Sequence, residues 1–206
     1  LLKQIEGFVH SDAFGFLPGR EALQSWLQVQ ASVELAHQTG QALSGLAVDF
    51  VKAFNNIRRP QWFKLARHIG LPERILRPWQ KFLASFTRRF QVHNHLSDPL
   101  TSNVGFAEGD PLSVPAMAVL DWALQIYQSQ FAPLTRTMSY VDNIAMMSKF
   151  VINLVWAFFS LCSFLDFWGL EIDTGKSYMW STATGSRAQL APLGLKMVDD
   201  VSELGG

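Results

Sequence analysis

Cysteine is almost missing from this chain: Cys162 stands alone among 206 residues. An internal disulfide is therefore excluded, as is zinc held by a cluster of cysteines, and the count fits a reducing compartment. Net charge is missing too, with 17 basic residues against 17 acidic ones. Taken whole, that balance gives no sign of a polyanionic partner. No internal repeat and no low-complexity stretch occurs. No apolar run reaches the roughly 20 residues that a bilayer span needs. Phe150 to Leu165 comes nearest, but Asn153, Ser160 and Ser163 interrupt it and Asp166 closes it. It reads as a helix buried against a sheet, so no membrane partner is expected.

What is present is an apolar, aromatic-rich globular composition, 49% hydrophobic and 13% aromatic, enough for one domain with a real core or a domain plus a small lobe. The charges are unevenly placed. From Lys52 to His95 there are ten basic residues (Lys52, Arg58, Arg59, Lys64, Arg67, Arg74, Arg77, Lys81, Arg88, Arg89) against the single acid Glu73. Such a block could follow a phosphate backbone; solvated helix faces carry the same pattern. The chain begins Leu1-Leu2 and ends Gly205-Gly206, and reads as a segment of a longer polypeptide.

Helices interleave with short strands along the chain. A helix is expected from about Glu21 to His37, with Leu23, Trp26, Leu27, Val33 and Leu35 as its apolar side. Leu46 to Phe50 reads as a buried strand. Pro60 to about Phe86 reads as two helices parted at Gly70-Leu71-Pro72, and Arg89–His95 with Thr101–Phe106 as a hairpin around Ser97-Asp98-Pro99. Leu112 to Phe131 is helical. Thr137–Val141 and Ile144–Ser148 read as strands joined at the tight-turn pair Asp142-Asn143. A long helix to about Trp168 and short strands near Leu170–Asp173 and Tyr178–Trp180 complete an α+β layer architecture.

Two aspartates carry the chemistry. Asp49 lies in an apolar strand, where an unpaired carboxylate is costly unless a cation or a base compensates it. Asp142 lies at a hairpin tip, which projects a side chain into a cleft. If the two strands are sheet neighbours, the carboxylates converge, and hard oxygen ligands suit Mg²⁺ or Mn²⁺. His93 and His95 alternate along a predicted strand, but no third ligand is visible and exposed strand residues are the simpler reading.

Six stretches, in order, resemble the signatures of reverse transcriptases of LINE-type (non-LTR) retrotransposons and group II introns. Gly15-Phe16-Leu17-Pro18-Gly19-Arg20 is similar to a fingers signature. Val48-Asp49-Phe50-Val51-Lys52-Ala53-Phe54 resembles the first palm motif, and Gly105-Phe106-Ala107-Glu108-Gly109-Asp110-Pro111-Leu112-Ser113 the second. Ser139-Tyr140-Val141-Asp142-Asn143 resembles the tyrosine-x-Asp-Asp hairpin. Gly169-Leu170-Glu171-Ile172-Asp173 with Lys176 resembles the fourth motif, and Leu193-Gly194-Leu195 the fifth.

The resemblance implies a polymerase palm, an antiparallel sheet with flanking helices on a ferredoxin-like (RRM-like) core, with partial fingers. Residues 1–44 would be the partial fingers segment and 45–206 the palm, carrying a fingers-like helical and hairpin insertion at about 58–106. The implied activity is RNA-directed DNA polymerisation: two-metal nucleotidyl transfer to a primer 3′-hydroxyl, with an RNA template, a DNA primer and deoxynucleoside triphosphates as partners. An endonuclease domain elsewhere in the parent chain is a further implied partner. Asp49 and Asp142 would ligate two Mg²⁺ or Mn²⁺ ions, with the Phe50 carbonyl and Asn143 as further donors. Phe54 would exclude a ribose 2′-hydroxyl, Gly109 would admit the nucleotide, and Lys176 would protonate the leaving pyrophosphate. Arg20, Glu108, Tyr140, Arg58 and Arg59 would contact template and primer.

The chain departs from the family pattern at four places. Asn143 stands for a second aspartate, Asn55 for an aspartate after the aromatic gate, Glu108 for glutamine, and Pro115 falls one place late. Loss of a negative charge at 143 predicts weaker cation binding, and Glu108 predicts repulsion of phosphates. The alternative to an active polymerase is therefore a degenerate remnant that only binds nucleic acid.

Overall fold

In the computed structural model, which describes residues 7, 9–15, 18–107 and 109–198, a five-stranded sheet lies between two helical layers. Its strands are β1 (Ser44–Val48), β6 (Arg136–Tyr140), β7 (Asn143–Ser148), β8 (Tyr178–Ser181) and β9 (Lys196–Met197), in the order β6-β7-β1-β8-β9. All neighbours run antiparallel except β8 and β9. The palm-type α+β architecture expected from the sequence is what the chain forms.

Period-two alternation decides which side chain goes to which layer. From β1, Leu46 and Val48 enter the main core, with Ile144 and Met146 of β7 beside them. That core is closed by α5 (Ser113–Phe131) and α6 (Val151–Trp168). On the opposite face Met138, Met147 and Trp180 pack against α1 (Ala22–Thr39). Gly45 belongs to that face, where a Cβ would fall 2.3 Å from the Trp180 indole; any larger residue would drive the strand off its neighbour.

Helix α1 begins on a capping box of Glu21 and Gln24 and ends at Gly40, whose φ of 63° is left-handed, as glycine permits. Its buried side is Val29, Val33 and Ala36, while Leu23, Leu27 and Leu35 face solvent. The apolar side expected from the leucines is thus corrected: residues spaced three and four apart from Val29 bury smaller side chains, which let the helix approach the sheet closely.

Between β1 and α5 come α2 (Ala53–Asn56), α3 (Arg59–His68) and α4 (Glu73–Ser85). Two small ribbons follow, β2 (Thr87–Arg88) with β5 (Leu100–Thr101) and β3 (Gln91–Val92) with β4 (His95–Leu96). The expected hairpin about Ser97-Asp98-Pro99 is therefore corrected, since the inner ribbon turns earlier. His93 takes φ 54° in that turn and His95 pairs Val92, so the two histidines do not alternate along one strand. Near Leu170–Asp173 a single bridge, Phe50 to Ile172, replaces the expected strand.

Helix α6 is long and apolar enough to cross a membrane. Leu154, Ala157, Leu161 and Leu165 are buried in the main core, and Ile152, Trp156, Phe159 and Phe167 face outward.

Candidate active site

The register of β1 against β7 assembles the site. Val48 pairs with Ile144, the last pair of that ladder, and Tyr140 pairs with Asn143 to close the β6–β7 hairpin. Asp49, one step beyond Val48, therefore lies beside the hairpin loop that carries Asp142. That loop is Val141-Asp142, one residue earlier than the expected Asp142-Asn143. Val141 takes φ 59°, the left-handed first position that two-residue hairpin loops use but which a β-branched residue adopts only under constraint. Gly15 lies against it: a Cβ there would fall 3.1 Å from both Val141 Cγ2 and Val141 N.

Asp49 is fixed through its backbone. Its N–H donates to the Ser177 hydroxyl at 3.1 Å, and its carbonyl accepts from the Asp173 N–H at 2.9 Å. The carboxylate is thereby left to the cleft, 23% exposed, with Lys176 Nζ at 4.0 Å. Lys176 also faces Asp173 at 3.7 Å, and is 67% exposed. Burial raises the Asp142 carboxyl above the ordinary carboxylate range, and the negative charge of Asp49 adds to the rise; its own backbone N–H and then Lys176 oppose it. Two carboxylates that disfavour each other's charge in a cleft mark a place where positive charge is wanted.

Those donors fit a hard divalent cation. Among the described residues no three His, Cys, Asp or Glu gather into a cage, and Mg²⁺ sites that also use substrate phosphates need only one or two carboxylates. Asn143 is exposed beside the pair. The bridge between Phe50 and Ile172 is made by the Val51 and Asp173 N–H groups, which leaves the Phe50 carbonyl out of it. A cavity of about 240 Å³ runs from Asp49 and Lys176 under α1, lined also by Trp26, Tyr140 and Trp180.

The other expected site residues separate into two groups. Phe54 in α2 is half-buried against the main core, and its carbonyl accepts from the Phe106 N–H at 2.6 Å. Gly109 takes φ 85° with open space where a Cβ would be. Tyr140 lines the cavity. Glu108 lies outside the described residues.

Arg59 is corrected as a template contact: it is buried, and its guanidinium donates to the carbonyls of Gly105, Leu83 and Ser102. Arg58 donates to the Phe167 carbonyl at 3.0 Å and packs where a Cβ on Gly169 would be, so it closes the end of α6. Arg20 donates to the carbonyls of His10 and Ala13, holding the segment that flanks β6.

Several positioning groups were not singled out from sequence. Asp110 accepts from the Leu112 N–H at 2.9 Å and from the Trp79 indole at 2.8 Å. Trp79 stacks on Phe106 at 4.8 Å and meets Trp62 edge-on at 5.2 Å. An aromatic cluster thus holds the loop before α5 against α3 and α4. Gly105 has φ 71° and would place a Cβ 2.1 Å from the Asn55 carbonyl oxygen, so the same loop is held against the segment after Asp49. Ser177 is invisible as a motif residue because its role is a single hydroxyl bond.

No curated protein matches the chain. Solved structures do resemble it. Apo telomerase from Candida tropicalis, truncated from its C-terminal domain, aligns with TM-score 0.68 at 11% identity, covering 90% of this chain and 40% of that one. Telomerase from Candida tropicalis in complex with the TWJ fragment of telomeric RNA gives 0.68 at 10% identity, covering 89% and 33%. Telomerase from Candida albicans in complex with that fragment gives 0.53 at 13%, covering 86% and 31%. The chain therefore spans less than half the length of the structures it resembles, and at such identities the likeness establishes fold. The sequence itself carries the finer assignment: matching the reverse transcriptase (RNA-dependent DNA polymerase) family over residues 1–197, the chain belongs to that family.

Proposed function

We propose that the chain is the palm and partial fingers of a retroelement reverse transcriptase of the LINE or group II intron class, which extends a DNA primer along an RNA template. The observation that carries this is the convergence of Asp49 and Asp142, set by the β1–β7 register, with Lys176 at 4.0 Å from Asp49. In this reading residues 1–44 are partial fingers, 45–206 the palm, and about 58–106 a fingers-like insertion.

Asp49 and Asp142 would hold two divalent cations, Mg²⁺ or Mn²⁺, with the Phe50 carbonyl and Asn143 as supplementary donors. Such ions, when bound, neutralise charge on the phosphates and lower the pKa of the primer 3′-hydroxyl. The chain's own groups do the rest. Ser177 and Asp173 keep Asp49 pointed at the cleft. Lys176, exposed and flanked by two carboxylates, has the reach to hand a proton to departing pyrophosphate. The Phe54 ring occupies the space a ribose 2′-hydroxyl would need, and Gly109 leaves room for the triphosphate.

One observation favours a second reading, a remnant that only binds nucleic acid. Asn143 supplies an uncharged amide beside the paired carboxylates, where a carboxylate would strengthen cation binding. Primer extension on an RNA template by the full natural polypeptide, in Mg²⁺ and then Mn²⁺, separates the two. Deoxynucleotide incorporation that is lost in Asp49→Asn and Asp142→Asn supports the polymerase. Binding of template and primer without incorporation in either metal supports the remnant.

A further inference from the structure

A buried polar cluster lies directly behind the hairpin that carries Asp142. Asp121, on α5, is 4% exposed. It accepts hydrogen bonds from the Ser139 hydroxyl and the Gln125 amide. Gln125, one helical turn further on, also donates to the Ser139 hydroxyl at 3.3 Å. Ser139 is itself 1% exposed and lies three residues before Asp142 on β6. Its backbone is gripped from the other side, where its N–H donates to the Asp12 carbonyl at 3.0 Å and its carbonyl accepts from Phe14 at 2.8 Å. Ser139 is therefore the point at which α5, β6 and the 12–14 segment are tied together.

The second oxygen of Asp121, Oδ1, has no partner. Asp121 borders a void of about 10 Å³ whose other walls include Val141, Ile144 and Phe50. Such a space is at the lower limit for one water, and its remaining walls give a water nothing to bond. An unpaired carboxylate oxygen in a dry core is a standing cost, and burial pushes the Asp121 carboxyl up to about 6 against the opposing bonds from Ser139 and Gln125. Leucine would fill the site without that cost. Packing does not explain the aspartate, whereas its bond to the strand leading into the Val141-Asp142 loop does.

We propose that Asp121 is a positioning residue for the active site: through Ser139 it sets the seat of the β6–β7 loop, and so the placement of the Asp142 carboxylate. This rests on the reading of Asp142 as a cation ligand. The device resembles the outer hydrogen bonds that orient metal-binding carboxylates elsewhere, here reaching the ligand through a strand rather than by direct contact.

The test is Mn²⁺ affinity, followed by electron paramagnetic resonance titration of the full natural polypeptide, beside thermal unfolding. Asp121→Leu is expected to weaken Mn²⁺ binding about tenfold with Tm unchanged or raised, a combination that a purely structural role does not produce. Asp121→Asn, which keeps an acceptor for Ser139, is expected to bind within about twofold of wild type. Asp121→Leu binding Mn²⁺ as wild type does, while Asp142→Asn loses it, would overturn the positioning role alone. Wild-type binding by Asp142→Asn, or none by the wild-type protein, would overturn the ligand assignment and the positioning role with it.

Discussion

At the residue scale the site depends on a few atoms whose neighbours are fixed. Asn143→Asp places a second carboxylate in the loop beside Asp142 and is expected to raise Mg²⁺-dependent extension several-fold; an unchanged rate would show that position 143 does not limit cation binding. Asp121 gives a stability prediction with a definite sign. Its folded pKa of about 6 lies above the ordinary 3.8, so the folded state holds its proton over a range where the unfolded chain has released it. Stability from this group is therefore present below about pH 4 and lost as pH rises through about 6, a penalty on the order of 3 kcal/mol at neutral pH. Asp121→Asn removes the titration. Its Tm advantage over wild type should be larger at pH 7.5 than near pH 4, and a constant difference would contradict the assignment. Asp49 and Asp142 were legible in the sequence because a carboxylate inside an apolar strand and one in a tight turn each need a reason. Asp121 was not, since one acid within an amphipathic helix looks like any solvated position until its face is known.

At the scale of elements, two loops are held by contacts that no local pattern reveals. The loop before α5 hangs on Trp79, Phe106 and Asp110, residues brought together from α4 and the loop itself. Trp79→Phe keeps the stacking but removes the indole donor to Asp110, and should cost about 1–3 kcal/mol in chemical unfolding; no loss would show that water replaces the bond. Gly105→Ala combines a left-handed φ with a backbone collision at the Asn55 carbonyl, and should destabilise the protein by roughly 3 kcal/mol or more. Helix positions and the strand at β1 were readable from periodicity and punctuation. The buried side of α1 was not, because Leu23, Leu27 and Leu35 suggest a face that the sheet does not use; small residues let the helix approach, and size mattered more than hydrophobicity. The ribbons between Thr87 and Thr101 escaped sequence reading because two-residue strands carry almost no period.

At the scale of the whole molecule, the neutral charge and the basic middle acquire different meanings. Of the ten cations between Lys52 and His95, Arg58 and Arg59 donate to carbonyls, Arg67 and Arg77 pair with Glu73, and Arg88 donates to the Asn55 side chain. Lys52, Lys64, Arg74, Lys81 and Arg89 remain exposed. The block was visible in the sequence, but its division into structural and solvent-facing members depends on where α3 and α4 pack. The affinity of this region for nucleic acid should accordingly fall with salt as expected for about five phosphate contacts or fewer, and a slope near ten would contradict the assignment of the arginines to the fold. The fold itself places one strand end beside one hairpin loop, and the account stands or falls on what those two carboxylates hold. Crystals grown with Mn²⁺ and a deoxynucleoside triphosphate test this most directly, through anomalous scattering from the metal. The prediction is a Mn²⁺ peak ligated by both Asp49 and Asp142; metal bound elsewhere, or to neither aspartate, would contradict it.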